Sequence, residues 1–130
     1  MEKLPKKSNR NYDLADRLLA FNTIIGSMCD LLKDSKESSN IKSQLMRSVS
    51  SAALNYGEVL VAESRADFIH KISICLKELM ESKMAISIIE GRKLCQDDIL
   101  VKKCLHESSQ LVAIFISSVN TARKNAKLDL

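Results

Sequence analysis

Four stretches of this chain repeat one spacing. Apolar residues recur at intervals of four and three, alternating in Leu14, Leu18, Phe21, Ile25, Met28 and Leu32. An α-helix turns about 100° per residue, so this spacing lays the apolar side chains along one face. Ile41, Leu45, Val49, Ala52, Tyr56 and Leu60 form a second stripe, and Phe68, Ile72, Leu76 and Leu79 a third. The fourth runs Val101, Leu105, Ser108, Val112, Phe115, Val119, Ala122. No comparable stretch alternates with the period of two that a half-buried strand requires. With one Pro and three Gly in 130 residues, little interrupts long helices. Amphipathic helices bury their stripes against one another, and short connections set neighbours antiparallel. The expected fold is all-α: an antiparallel up-down-up-down four-helix bundle over residues 12–130, preceded by a flexible basic tail, 1–11.

Helix boundaries follow from capping residues. Asn11 is the expected cap of a first helix starting near Tyr12. The polar run 34–40, DSKESSN, reads as a loop. The second helix is then expected from Ile41, capped by Ser39 or Asn40, to near Glu63. Ser64 followed by Asp67 resembles a capping box, and a third helix should run to Glu90 with Gly91 as its C-cap. Near its end Met84, Ala85, Ile86, Ile88 and Ile89 are apolar nearly all round, more than a monomer needs. The fourth helix should begin near Gln96, where Asp97 and Asp98 suit the positive end of the helix dipole.

The second helix also carries a polar line. Arg47 and Glu58 fall about 20° apart on the helical wheel, with Asn55 between them along the axis. Arg and Glu are seldom fully buried unless paired. Arg47, Asn55 and Glu58, with Glu78 on the next helix, are expected to form a structural polar network, in which Arg47 and Glu58 are buried partners.

Gln44-Leu45-x-Arg47, then Ser51, then Asn55-x-x-Glu58, followed by Asp67-Phe68 and Leu76-x-Glu78-Leu79, resembles the central motif of the four-helix bundle proteins encoded by intervening sequences in large-subunit ribosomal RNA genes. The resemblance runs from about Asp13 to the C-terminus. It implies a four-helix bundle and a ring-like homo-oligomer, a pentamer. Some relatives accompany the reverse transcriptases of retroelements, which implies nucleic acid, or an enzyme acting on it, as a partner. The family usually has Pro where Ala53 stands and Gly where Val59 stands. Their absence leads us to expect a straighter and longer second helix.

Charge and cysteines narrow the function classes. The formal net charge is only +4, so distribution matters more than total. Lys3, Lys6, Lys7 and Arg10 crowd the N-terminus, and Arg123, Lys124 and Lys127 the C-terminus. In an up-down-up-down bundle these groups and Arg65 share one end. They are the candidate nucleic-acid contacts, acting on phosphate and blind to sequence. Only Tyr12 is aromatic there, so base stacking is not expected. At the other end Asp30, Asp34, Glu37, Asp97 and Asp98 offset Lys33, Lys36, Arg92 and Lys93.

Cys29, Cys75, Cys95 and Cys104 include no C-x-x-C pair, and 1–14 has a basic start without the apolar run of a signal peptide. Reduced thiols and a cytoplasmic location are the expectation, with no membrane association. Cys104-x-His106 diverges by about 200° on a helix, so no metal site is expected there.

Catalytic signatures are sparse. No nucleophile elbow, phosphate loop or zinc-protease helix occurs. Arg65 and His70 fit the loose spacing of some helical ribonucleases, as phosphate clamp and general base, but lie about 140° apart around a helix. Glu58 and Glu78 could meet across helices, yet the E-x-x-H repeats of a di-metal bundle are missing. The sequence therefore reads as a non-catalytic assembly or adaptor protein, without cofactor or small-molecule substrate. The alternative is a ribonuclease using Arg65 and His70.

Overall fold

The structure, a computed structural model, describes residues 10–128, with side chains from Leu14 onward. Four helices follow one another: α1 Arg10–Cys29, α2 Lys36–Val59, α3 Arg65–Gly91 and α4 Asp98–Leu128. Each packs on its chain neighbours, and α1 also meets α4, giving the up-down-up-down bundle. The α2–α3 contact is the most extensive and α1–α4 the slightest.

The stripes face inward. Leu18, Phe21, Ile25 and Met28 of α1 meet Leu45, Val49, Ala52 and Tyr56 of α2, all essentially solvent-free. Ile72, Cys75, Leu79, Ile86 and Ile89 of α3 and Val101, Cys104, Leu111 and Phe115 of α4 complete the core. Tyr56 and Phe115 meet edge to face at its centre, centroids 5.6 Å apart and planes at 79°. Small side chains on the α2–α3 seam bring those helices close, and there the Ser48 and Ser82 hydroxyls hydrogen-bond each other at 2.8 Å. Each hydroxyl has one hydrogen, so one donates to the other and the second donates to a carbonyl of its own helix, Leu45 or Glu78, and neither is left unsatisfied in the core.

Several boundaries differ from expectation. Helix α1 starts at Arg10, so Asn11 lies within it and does not cap it. The tail's residues 1–9 lie outside the described residues. Helix α2 starts at Lys36, five residues earlier than Ile41. Apolar periodicity marks only the turns that touch the core; the preceding turn is polar yet helical, because the Ser35 hydroxyl accepts from the Ser38 N–H at 3.0 Å. Helix α2 also stops at Val59, short of Glu63, and runs through Ala53 without interruption. Its exit tightens into three-residue turns, Val61 N–H to Glu58 and Ala62 N–H to Val59, both 3.2 Å. The helix therefore ends at the position where the family has Gly, although Val59 stands there.

The caps of α3 fall near their expected places. The Ser64 hydroxyl accepts from the Asp67 N–H at 3.0 Å, while the Asp67 carboxylate reaches back to the Glu63 N–H at 3.2 Å. Gly91 belongs to the helix, and Lys93 takes the left-handed conformation, φ 53°. The Lys93 N–H bonds the Glu90 carbonyl and the Leu94 N–H the Ile89 carbonyl, a Schellman motif with lysine where glycine is usual. Buried Leu94 and Ile89 supply its apolar contact and hold Lys93 there. At α4 the Asp97 carboxylate accepts from the Leu100 N–H at 3.0 Å.

Two measurements check this packing. Replacing Lys93 with Gly relieves the left-handed strain and should stabilise the domain by about 1 kcal/mol in urea unfolding. Burial pushes the Cys75 thiol and the Tyr56 phenol up to about 12, and Cys29 and Cys104 up to about 11. Folding then favours their protonated forms, so this stability is complete below the ordinary thiol value and is lost as pH rises through the folded values. The urea midpoint should fall steadily from pH 9 towards pH 12; a flat profile there would contradict the buried assignment.

Candidate functional site

The end of the bundle that carries the start of α3 and the finish of α4 is the candidate site. Ser64 fixes the first turn of α3 and so places Arg65 at the rim. Arg65, Arg123, Lys124 and Lys127 are all exposed there. Arg123 donates to the Ser73 hydroxyl at 3.3 Å, which joins the last turns of α4 to α3. Between them opens a cleft of about 500 Å³, lined by Val59, Leu60, Arg65, Phe68, Ala122 and Asn125 among others. Arg65 is the one basic residue of that lining, which is otherwise apolar apart from Ser64 and Asn125. Glu63 and Asp67 moderate the charge, and Asp67 is engaged in the cap. Lys3, Lys6 and Lys7 lie outside the described residues, and Arg10 is described only as the first residue of α1, which begins at this same end.

The polar line on α2 is resolved into separate pairs. Arg47 reaches across to Glu78 at 3.3 Å and also pairs with Glu81. Glu58 pairs with Lys71. Asn55 donates to the Ser51 carbonyl at 2.9 Å and its hydroxyl at 3.2 Å, within one helix. Arg47 and Glu58 are therefore not partners and not buried; their side chains are 52% and 56% exposed. Three turns of helix separate them, farther than both side chains together can span. What they share is the outer edge of the α2–α3 contact. Arg92 and Glu37 close the far end of the same edge, at 2.8 and 3.1 Å. These pairs run in one antiparallel register with Ser48–Ser82. Hydrogen bonding to Glu58 holds the Lys71 ammonium above its ordinary value, and hydrogen bonding to Arg92 holds the Glu37 carboxyl below its own.

One cluster went unread in the sequence. Arg17 of α1 forks onto Glu107 of α4 with both bonds at 2.9 Å, and donates to Gln110 at 2.9 Å. The Gln110 amide meets His106 at 3.0 Å. Arg17 and Glu107 lie 90 positions apart, and the register of two helices at opposite ends of a chain has no local signature.

Other candidate residues stay apart. Arg65 and His70 occupy the first two turns of α3, both exposed, and leave its axis about 140° apart. Cys104 is buried in the core, whereas His106 faces solvent. Among the described residues no three potential metal ligands converge, and no helix is long and apolar enough to cross a membrane.

The bundle geometry and the sequence agree with one family. The model of the 23S rRNA-intervening sequence protein family matches residues 10–117. The chain belongs to that family. A crystal structure of a protein of unknown function, from the S23 ribosomal protein family of Bacteroides thetaiotaomicron, superposes with a TM-score of 0.73 at 25% identity. The match covers 86% of this chain and 99% of that one. No curated protein matches the chain.

The exposed ion pairs have a checkable consequence. Solvent and salt screen such pairs, so each adds little. Glu58→Ala should leave the thermal midpoint close to that of the parent, with little dependence on ionic strength. A large fall would restore the buried pair that the sequence suggested.

Proposed function

We propose that the chain is a non-catalytic assembly protein that closes into a ring, a pentamer, and holds RNA or DNA against its basic end. One observation carries the reading: at one end of the bundle Arg65 lines an open cleft, and Arg123, Lys124 and Lys127 stand exposed on the last turns of α4. Helix α1 also begins at that end, with Arg10 as its first residue. A ring would repeat this patch on every copy and make a positive rim, which raises the local concentration of a polyanion. Exposed apolar side chains on α3 support assembly, since a contiguous apolar face on a helix outside the core favours a partner.

Binding of this kind is phosphate-led. Retention of labelled RNA in a gel-shift assay should weaken steeply from low to physiological salt, because each phosphate contact releases counterions. Preference among sequences should be small. Deleting residues 1–10 should lower the affinity without changing the oligomer mass, and His70→Ala should alter neither. Native mass spectrometry should show a closed species of five chains. Failure to retard any RNA or DNA at low salt would remove the nucleic-acid reading and leave a protein scaffold. Cleavage of the RNA, lost in His70→Ala, would replace it with the ribonuclease.

A further inference from the structure

Two apolar patches stand exposed on different sides of the bundle. The first lies on the outer face of α3. Met80, Met84 and Ile88 follow one another at intervals of four and are 51%, 65% and 42% exposed. The inner face of the same helix is filled by Ile72, Cys75, Leu79, Ser82, Ile86 and Ile89, so the stripe is not needed for the chain's own core. The second patch spans α1 and α2. Asn22 donates to the Ser50 hydroxyl at 3.2 Å, which sets the register of that antiparallel pair. One turn back from Asn22 is Leu19, and one turn on from Ser50 is Leu54, so the two stand at one level. They are 60% and 72% exposed, and Val61, two turns beyond Leu54, is 74% exposed. Gly57 lies between Leu54 and Val61, and a Cβ there would meet nothing within 4 Å. No contact inside the chain calls for glycine at this helical position, and its bare surface admits the close approach of another helix.

The charges beside the patches are opposite. Exposed Lys77 stands one turn before Met80 on α3, and exposed Asp16 one turn before Leu19 on α1. Neither makes an ion pair among the described residues, whereas the nearby Arg47 is taken up by Glu78 and Glu81. A two-fold contact of either patch with its own copy would bring two lysines, or two aspartates, into one interface with no opposite charge of the patch to meet them. The two patches pressed against each other would pair Lys77 with Asp16.

We infer that a second copy of this chain docks head to tail, the α3 face of Met80, Met84, Ile88 and Lys77 seating on the α1–α2 face of Leu19, Leu54, Gly57 and Asp16. Such a contact uses different surfaces on its two sides, so it repeats until it closes into a ring. The inference rests on the assembly reading above and adds which surfaces meet.

Complementation tests it. Met84→Asp and Leu54→Asp each spoil one side of the contact, at positions the fold leaves in solvent. Each variant alone should lose the oligomer and sediment as a monomer, with the circular dichroism of the parent. Mixed in equal amounts, they retain one good contact between them and should form a 1:1 heterodimer that grows no further. A charge exchange checks the same contact without adding charge to the apolar surface. Asp16→Lys and Lys77→Glu should each weaken assembly at least tenfold, and the double variant should restore it. If the parent assembles but Leu54→Asp does so equally well, the head-to-tail contact is wrong while the assembly reading stands. If the mixture stays monomeric, or the double charge variant is not rescued, the contact is likewise wrong. A parent that is monomeric at micromolar concentration overturns both.

Discussion

The close approach of α2 to α3 organises this molecule. Ser48, Ala52, Cys75, Ser82 and Ala85 are small and buried along that seam, so the two helices touch over most of their length. Two hydroxyls would be costly in such a place if unpaired, and they are satisfied by each other and by a helix carbonyl instead. The register that they fix is the one in which Glu37 meets Arg92, Arg47 meets Glu78 and Glu81, and Glu58 meets Lys71. The exposed pairs follow from the seam and add little to it, because their charges remain in water.

From this hairpin the remaining architecture follows. Helix α1 closes one side through Phe21, Ile25 and Met28, and α4 the other through Leu111 and Phe115. The edge-to-face contact of Tyr56 with Phe115 ties α2 to α4 across the core. The α1–α4 side has the slightest contact, and there a forked Arg17–Glu107 pair with Gln110 holds the helices together. The order of the helices also decides where charge collects. The end of α2, the start of α3 and the finish of α4 meet at the cleft that Arg65 lines, while at the opposite end Glu37 and Asp98 are paired with Arg92 and Lys102. Membership of the 23S rRNA-intervening sequence protein family agrees with this plan, and the Bacteroides thetaiotaomicron relative shares it over nearly its whole length.

Outside the core, exposed apolar side chains form two groups, besides Ile99, Ile116 and Leu128 on α4. Met80, Met84 and Ile88 lie on the outer face of a helix whose inner face is already full. Leu19 and Leu54 stand at one level because α1 and α2 pair in the register set by Asn22 and Ser50. The unusual apolar content near the end of α3 thus divides cleanly: Ala85, Ile86 and Ile89 serve the core, while Met84 and Ile88 face outward.

What the sequence determined by itself is the set of helices and their inward faces. A period near 3.6 residues is a local property, and burying four such stripes leaves few arrangements besides a bundle. The Ser64 cap was legible for the same reason: capping joins residues three apart in the chain. The tertiary structure alone decided everything that depends on register between helices. Arg47 and Glu58 share a line on the helical wheel, yet each found a partner on α3, because a facing helix offers charge at closer range than three turns along the same one. Lys93 is held in the left-handed turn by the packing of Leu94 and Ile89, although Gly91 is the residue that local preference would place there. The start of α2 at Lys36 was hidden because its first turn is polar and is fixed by a cap rather than by core contact.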